Sequence, residues 1–293
     1  MRSVTWCPKL LPKYWVTIVA RNAEMTITNT LESLIRQTIE PIKIVVVNDG
    51  STDKTNDILS AYEQRNQRIT IIQKPNEGYD IRRVPKNINI SLQSNVELET
   101  DYTMISGDDC EYPIDYCQSV TNKMHQNPRL VVASGCPIAA GLRAPEHTPS
   151  GSGRIIKTSF LRKIGFRFPV KAGWEAWLLY EASQDGYETQ LLSGISYTHV
   201  RPRGAKHAFT YWGAAMYTLG YHPLYAMGRI TKNLVKDRSV KSSVGLLRGY
   251  LTAKMGSSDP YLTPFKPSFR RFVHEQQGRE ICRIISTRLK IHR

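Results

Sequence analysis

Short unbroken apolar runs alternate with segments whose apolar positions recur at helical spacing. Tyr14–Ala20 (YWVTIVA) is β-branched and aromatic, the pattern of a buried strand. Arg21-Asn22-Ala23-Glu24 breaks it, and Ile27, Leu31, Leu34 and Ile35 then mark a helix that Thr26 is placed to cap. Ile42–Val47 predicts a second buried strand, stopped abruptly by Asn48-Asp49-Gly50-Ser51-Thr52-Asp53. Gly50 permits a tight turn there, and Ser51, Thr52 or Asp53 can cap the next helix, with Asp53 read as a cap rather than a ligand. Ile69–Ile72 is a third run, leading to Lys74-Pro75-Asn76-Glu77-Gly78. Tyr102–Ile105 is a fourth, and it ends in Ser106-Gly107-Asp108-Asp109 ahead of Tyr112-Pro113. Strand and helix in alternation predict parallel βαβ units, hence an α/β fold with a mostly parallel sheet flanked by helices.

Such sheets bind ligands in the crevice at the carboxyl ends of their strands. The loops at those ends carry Ala20-Arg21-Asn22, Asn48-Asp49 and Asp108-Asp109. Two adjacent carboxylates at a buried strand end are costly to leave unpaired, so a cation is expected beside them. A divalent metal carrying phosphates meets that need. A lone Asp-Asp pair is more often a solvated turn; the surrounding strand-end loops are what favour a site.

Val16-Thr-Ile-Val-Ala-Arg-Asn, Val47-Asn-Asp-Gly-Ser-Thr-Asp, Asn76-Glu-Gly and the Asp pair together resemble the nucleotide-sugar half of the family-2 glycosyltransferases, over roughly residues 14–200. The resemblance implies a GT-A, Rossmann-like core over 1–204 and an inverting transfer from a nucleoside-diphosphate sugar. It implies Mn2+ or Mg2+ as cofactor, with Asp109 a direct ligand and Asp108 binding ribose or the metal. Ser106 stands where the family often has the first Asp of Asp-x-Asp, so either member of the pair is open as the ligand. Ala20, Arg21, Asn22 and Asp49 would line the nucleoside pocket. Arg82, Arg83 and Lys86 are candidates for base or diphosphate contacts; the alternative is a solvated helix start.

Further on, Phe166–Glu181 reads as a loop entering an amphipathic helix, with Trp174, Trp177, Leu178 and Glu181 at helical offsets. Inverting transfer needs one base to take the acceptor's proton. The family usually supplies an acid at this helix start, often Glu-Asp, and here the corresponding acid is Glu175. A carboxylate favoured by the helix N-terminus is the structural alternative. His199-Val200-Arg201 resembles the His-x-Arg that closes the family's core, with His199 an additional metal ligand and Arg201 a diphosphate clamp.

Charge divides the chain. Residues 1–199 carry 22 Lys and Arg against 21 Asp and Glu, a net of +1, whereas residues 200–293 carry 18 against 4, a net of +14. The expected second region, 205–293, is therefore basic, mostly helical and suited to docking on an anionic membrane surface. Within it, 208–228 lacks any Asp, Glu, Lys or Arg. Its tyrosines, glycines and His222-Pro223 suit an interfacial or partly buried helix better than an ordinary core helix, and either better than a membrane span. Five scattered cysteines without metal spacing indicate reduced thiols, Cys110 and Cys117 among them as packing residues. Met1–Pro12 has no long apolar core or small-residue cleavage site. The expected location is the cytoplasmic face of a membrane, and the expected acceptor a glycan or a polyprenyl-phosphate-linked molecule. Two other classes use similar parts. A sugar-phosphate nucleotidyltransferase would carry a Gly-rich basic loop after the first strand, which Ala20-Arg-Asn-Ala-Glu is not. A nucleic-acid binder would use the basic tail, but no base-reading motif is present and the carboxylates would go unexplained.

Overall fold

The structure, a computed structural model, describes residues 11–139, 142–143, 148–201, 208–235 and 240–291. Cys7 and the expected boundary at 204/205 lie outside the described residues. The chain packs into two compact units, Met1–Tyr79 with Asn87–Arg167 and Glu188–Arg201 in the first, and Asp80–Lys86 with Phe168–Tyr187 and Pro202–Arg293 in the second. The charge step near residue 200 thus falls close to the last crossing, while two short earlier segments also join the second unit.

The first unit opens with β1 (Tyr14–Ala20), α1 (Ile27–Ile35), β2 (Lys43–Asn48), α2 (Thr55–Arg65), β3 (Ile69–Gln73), α3 (Arg83–Gln93, whose residues up to Lys86 are counted with the second unit) and β4 (Tyr102–Ser106). These give the parallel order β3-β2-β1-β4. Next come β5 (Cys110–Glu111), α4 (Tyr116–Gln126), β6 (Leu130–Ala139), β7 (Leu142–Arg143), β8 (Arg154–Lys157), α5 (Thr158–Lys163) and, after α6 (Trp174–Gln184), β9 (Glu188–His199). They extend the sheet as β4-β8-β6-β9-β5, with β7 paired to β6. The extension is mixed: β8 is antiparallel to β4 and β6, and β9 is parallel to β6.

The unbroken apolar runs follow from burial on both sheet faces. Alternate residues Tyr14, Val16, Ile18 and Ala20 join Leu31, Leu34, Val120 and Met124 in one core cluster, while Trp15 and Thr17 on the opposite face are equally buried. At the end of β2 the turn chemistry is local. Asn48 Oδ1 accepts from the Ser51 amide at 3.2 Å and its hydroxyl at 2.6 Å. Gly50 has φ +65°, and a Cβ there would lie 2.5 Å from Asn76 Cα, so only glycine lets the β3 loop pass so close. Asp53 Oδ1 accepts from the Thr55 amide at 3.0 Å and its Oδ2 from Glu24 N at 3.2 Å, which makes it a structural residue at the α2 entrance.

In the second unit α6 is joined by α7 (Ala208–Thr218), α8 (Pro223–Val235), α9 (Val240–Lys254), a 3-10 turn (Pro260–Leu262) and α10 (Pro267–Ile291). The charge-free stretch 208–228 is not one helix: it breaks at Gly220 (φ +81°) and Pro223. α7 is a core helix, with Ala214, Met216 and Thr218 buried. Glycines let it cross α9 at close range, since a Cβ on Gly249 would fall 1.9 Å from Thr210 O. Trp212 is exposed on α7, and further exposed apolar side chains lie on α8 (Leu224, Met227, Leu234, Val235) and along one stripe of α9 (Val240, Val244, Leu247, Leu251). Among the described residues no helix is long and apolar enough to cross a membrane.

Candidate active site

Three strand ends of the first unit meet around Arg21. Its amide donates to Asp108 Oδ2 at 3.1 Å. Its guanidinium donates to the carbonyls of Asp49 and Gly50, the latter at 3.1 Å, and to Asn76 Oδ1 at 2.8 Å. One arginine therefore fastens the β1, β2 and β3 loops together beside the Asp pair. Ala20 O accepts from the Asp49 amide at 2.9 Å, and Asn22, at φ +48°, accepts from Thr52 N at 2.8 Å. Asp49 is buried among these groups, only 6% exposed.

The Asp pair is shaped by contacts that the sequence pattern did not reveal. Thr26, predicted as a cap, makes no side-chain cap bond, and its hydroxyl instead donates to Asp108 O at 2.9 Å. Thr30 Oγ1 accepts from the Cys110 amide at 3.1 Å. Ser106 turns away from the pair, sharing a hydrogen bond with Tyr112 at 2.8 Å, and Tyr112 packs on Tyr116 and Tyr197 beneath. In this ring Tyr197 donates to Ser152 O at 2.6 Å and Tyr116 to Gly153 O at 2.6 Å, which fixes the floor of the site.

β5 is the device that completes it. Cys110 pairs with His199 and Glu111 with Thr198, and Val200 N donates to Asp109 O at 2.9 Å. This two-residue strand carries His199 and Arg201 onto carboxylates some ninety residues away. Arg201 Nε donates to Asp109 Oδ2 at 2.9 Å, and its terminal nitrogen pairs with Asp108 Oδ1. His199 Nδ1 lies 3.7 Å from Asp109 Oδ2 and 2.9 Å from Arg201 O.

Burial pushes the Asp108 carboxyl up to about 6; Arg201 pulls it down, and the neighbouring Asp109 charge adds to the rise. Two carboxylates in so confined a place make it a cation-attracting site. Asp109, Cys110 and His199 each offer a ligand atom, all within 4.8 Å of one another. A carboxylate and an imidazole suit Mn2+ or another divalent ion. The Cys110 thiol, pushed up to about 12 by burial and by Asp109, stays protonated and packs.

Eight of the predicted residues are thus brought together: Ala20, Arg21, Asn22, Asp49, Asp108, Asp109, His199 and Arg201. The others belong to the second unit. Arg82 is committed to carboxylates, its Nε 2.9 Å from both Asp80 oxygens and its Nη1 3.1 Å from Asp259 Oδ2. Arg83 is half-buried at the start of α3, and Lys86 is exposed. Glu175 is exposed in the first turn of α6, behind Gly173 at φ +91°.

The sequence profile described as glycosyl transferase family 2 matches residues 15–186, more than half of the chain. The chain belongs to glycosyl transferase family 2. The matched span takes in Arg21, Asp49, the Asp pair and Glu175, and stops before His199 and Arg201. Family relatives include the uncharacterized glycosyltransferase EpsJ of Bacillus subtilis, 29% identical over 126 residues, 43% of this chain and 34% of EpsJ. A glycosyltransferase of Haemophilus influenzae is 42% identical over 69 residues, 23% of this chain and 21% of the relative. The chain thus spans about a third or less of these relatives. Among solved structures, TarS 1–349 of S. aureus with UDP-GlcNAc superposes at TM-score 0.54 with 18% identity, covering 82% of this chain and 72% of that one. The mannosyltransferase PcManGT of Pyrobaculum calidifontis with GDP-Man and Mn2+ gives TM-score 0.55 at 15% identity, covering 87% and 78%. This likeness shows the fold, which is the α/β GT-A fold that the strand pattern and motifs predict.

Proposed function

We propose that this family member is a divalent-metal-dependent, inverting glycosyltransferase that moves a sugar from a nucleoside-diphosphate sugar to a lipid-linked or polysaccharide acceptor. The observation that carries the reading is the Asp108–Asp109 pair, held at the end of β4 by Arg21 and Arg201 with His199 beside it. UDP-GlcNAc in TarS and GDP-Man with Mn2+ in PcManGT support such a donor and such an ion. Asp109 and His199 would hold Mn2+ or Mg2+, and the bound ion would supply charge neutralisation for the diphosphate leaving group. Asp108 would bind ribose or the metal. Asp49 and the Ala20-Arg21-Asn22 loop would seat the nucleoside, with Arg21 shaping the pocket through its three-loop clamp. Arg201, a planar guanidinium already beside both carboxylates, suits the diphosphate. Arg83 and Lys86 remain candidates for donor contacts; Arg82 would act through its carboxylate pairs.

A thermal-shift panel of UDP-, GDP- and dTDP-sugars, with Mn2+ and with chelator, tests this reading. A donor at about 100 times its Kd stabilises the fold by about 2.7 kcal/mol, so the matching nucleotide should raise the melting temperature by several degrees only with metal present. No shift with any donor in Mn2+ sinks the reading. Turnover should release a nucleoside diphosphate; release of pyrophosphate would indicate a nucleotidyltransferase.

We also propose that 205–293 docks the enzyme on an anionic membrane at its cytoplasmic face. The apolar stripe of α9 is exposed and is flanked by exposed Lys241, Arg248 and Lys254, the composition of an interfacial helix. Each basic residue near such a surface contributes about 1 kcal/mol. Reversing these three to Glu should therefore cut binding to anionic vesicles by about two orders of magnitude or more. Co-sedimentation across a salt series reads this out. Equal binding by wild type and variant, or indifference to anionic lipid, would count against docking.

A further inference from the structure

The surface of the second unit carries an open pocket of about 330 Å³ that the transfer chemistry does not use, lined by Tyr217, Tyr221, Tyr250, Arg270, Arg271 and His274. Its volume is in the range of small-ligand sites. No lining residue is acidic. Three aromatic walls and two fixed positive charges make an apolar pocket for an anion.

Its construction explains why a cation is held there. Gly220 (φ +81°) forms the turn between α7 and α8, and a Cβ on it would lie 2.6 Å from Arg270 Cβ. The missing side chain lets α10 press against this turn and delivers Arg270 to the pocket. The Arg270 guanidinium carbon stands 5.0 Å over the Tyr217 ring, a cation–π contact. Among the described residues its one hydrogen-bond acceptor is the Tyr217 carbonyl, at 3.3 Å from Nη2. Its Nε is buried and has no partner. Most of the donor capacity of a five-donor side chain is therefore uncommitted. Arg271 and His274 are exposed, and His274 packs tilted against His222 with ring centroids 4.4 Å apart. Tyr217 and Tyr250 meet edge to face at 5.7 Å. The rim residue Pro223 starts α8, whose Leu224 and Met227 are 66% and 54% exposed. One turn apart on the helix, these two lie on the same side of α8, whose first residue is on the rim.

We propose that this pocket binds the phosphate head of an alkyl phosphate, with the chain running out along α8. The proposal rests on the lipid-linked-acceptor reading and deepens it by giving the phosphate of a lipid-linked glycan an anchor, the reacting hydroxyl being on the glycan. Geranyl phosphate, geraniol and inorganic phosphate titrated into the full chain by calorimetry test it. Geranyl phosphate should bind saturably, geraniol and inorganic phosphate at least about tenfold more weakly, because each lacks half of the recognition. Arg271→Glu changes an exposed residue and should weaken geranyl phosphate by about tenfold or more, the loss of one charge-assisted contact. Arg270→Gln should do the same, and Arg279→Glu, the same charge change further along α10, should not. Failure of wild type to bind geranyl phosphate, equal binding of inorganic phosphate, or equal weakening by Arg279→Glu and Arg271→Glu would each overturn the assignment. UDP with Mn2+, titrated into the same wild-type protein, reports on the donor site separately, so either reading can fail without the other.

Discussion

Asp109→Asn is expected to leave a folded protein that has lost metal-dependent UDP binding and whose sugar transfer has fallen by about three orders of magnitude or more. The size follows from the several kcal/mol that a bound divalent ion contributes to a departing diphosphate. The fold should survive because Asn keeps the shape of the side chain, and the strand pairing that positions it runs through the backbone, Val200 N on Asp109 O at 2.9 Å. What changes is charge. Asp109 faces Arg201 at 2.9 Å and His199 at 3.7 Å, and a neutral amide offers a cation far less than a carboxylate does. Circular dichroism and the melting curve check the fold; UDP titration with and without Mn2+, together with UDP release, checks the site. Near wild-type transfer in the presence of metal would remove Asp109 from the reaction.

The frame of this site was legible in the sequence because its determinants are local. Three apolar runs buried on both faces, with the half-buried run of β3 beside them, read as strands of a covered sheet, and the Gly50 turn and the Asp pair sit directly at their ends. The resemblance carried His199 and Arg201 to the same place. The element that joins them to Asp109 is β5, only Cys110–Glu111, too short to leave a periodic signal. Thr26 shows the opposite limit. Its position before a helix marks it as a cap, yet the hydroxyl serves Asp108 O, a partner eighty-two residues away that no local pattern encodes. The resemblance puts Arg21 in the pocket, and its structural task, fastening three loops, depends on their convergence in space. In the second unit, a charge-free stretch long enough to span a membrane hid a Gly220–Pro223 break. Composition located the aromatic residues but not which helix would be buried, since that depends on the close α7–α9 crossing through Gly213 and Gly249.

Glu175→Gln should lower turnover by about two to four orders of magnitude while leaving donor affinity intact, the signature of a lost general base. Glu175 is exposed, sits in the first turn of α6 behind the left-handed Gly173, and belongs to a helix end where negative charge is favoured. Its field is felt nearby: the Tyr261 hydroxyl is pushed up first by burial and then by the Glu175 charge. The same facts serve a purely structural carboxylate, so the kinetic split decides. A base acts only in the transition state, which predicts equal losses in kcat and kcat/KM for the acceptor, and no change in metal-dependent UDP binding. Glu175→Asp should recover part of the rate, because the carboxylate is retained on a shorter arm. Loss of donor binding with kcat intact would place Glu175 against the nucleotide. Near wild-type values for both, with a slightly lowered melting temperature, would make it a helix-end residue, and would point to an acceptor that is already anionic and needs no base.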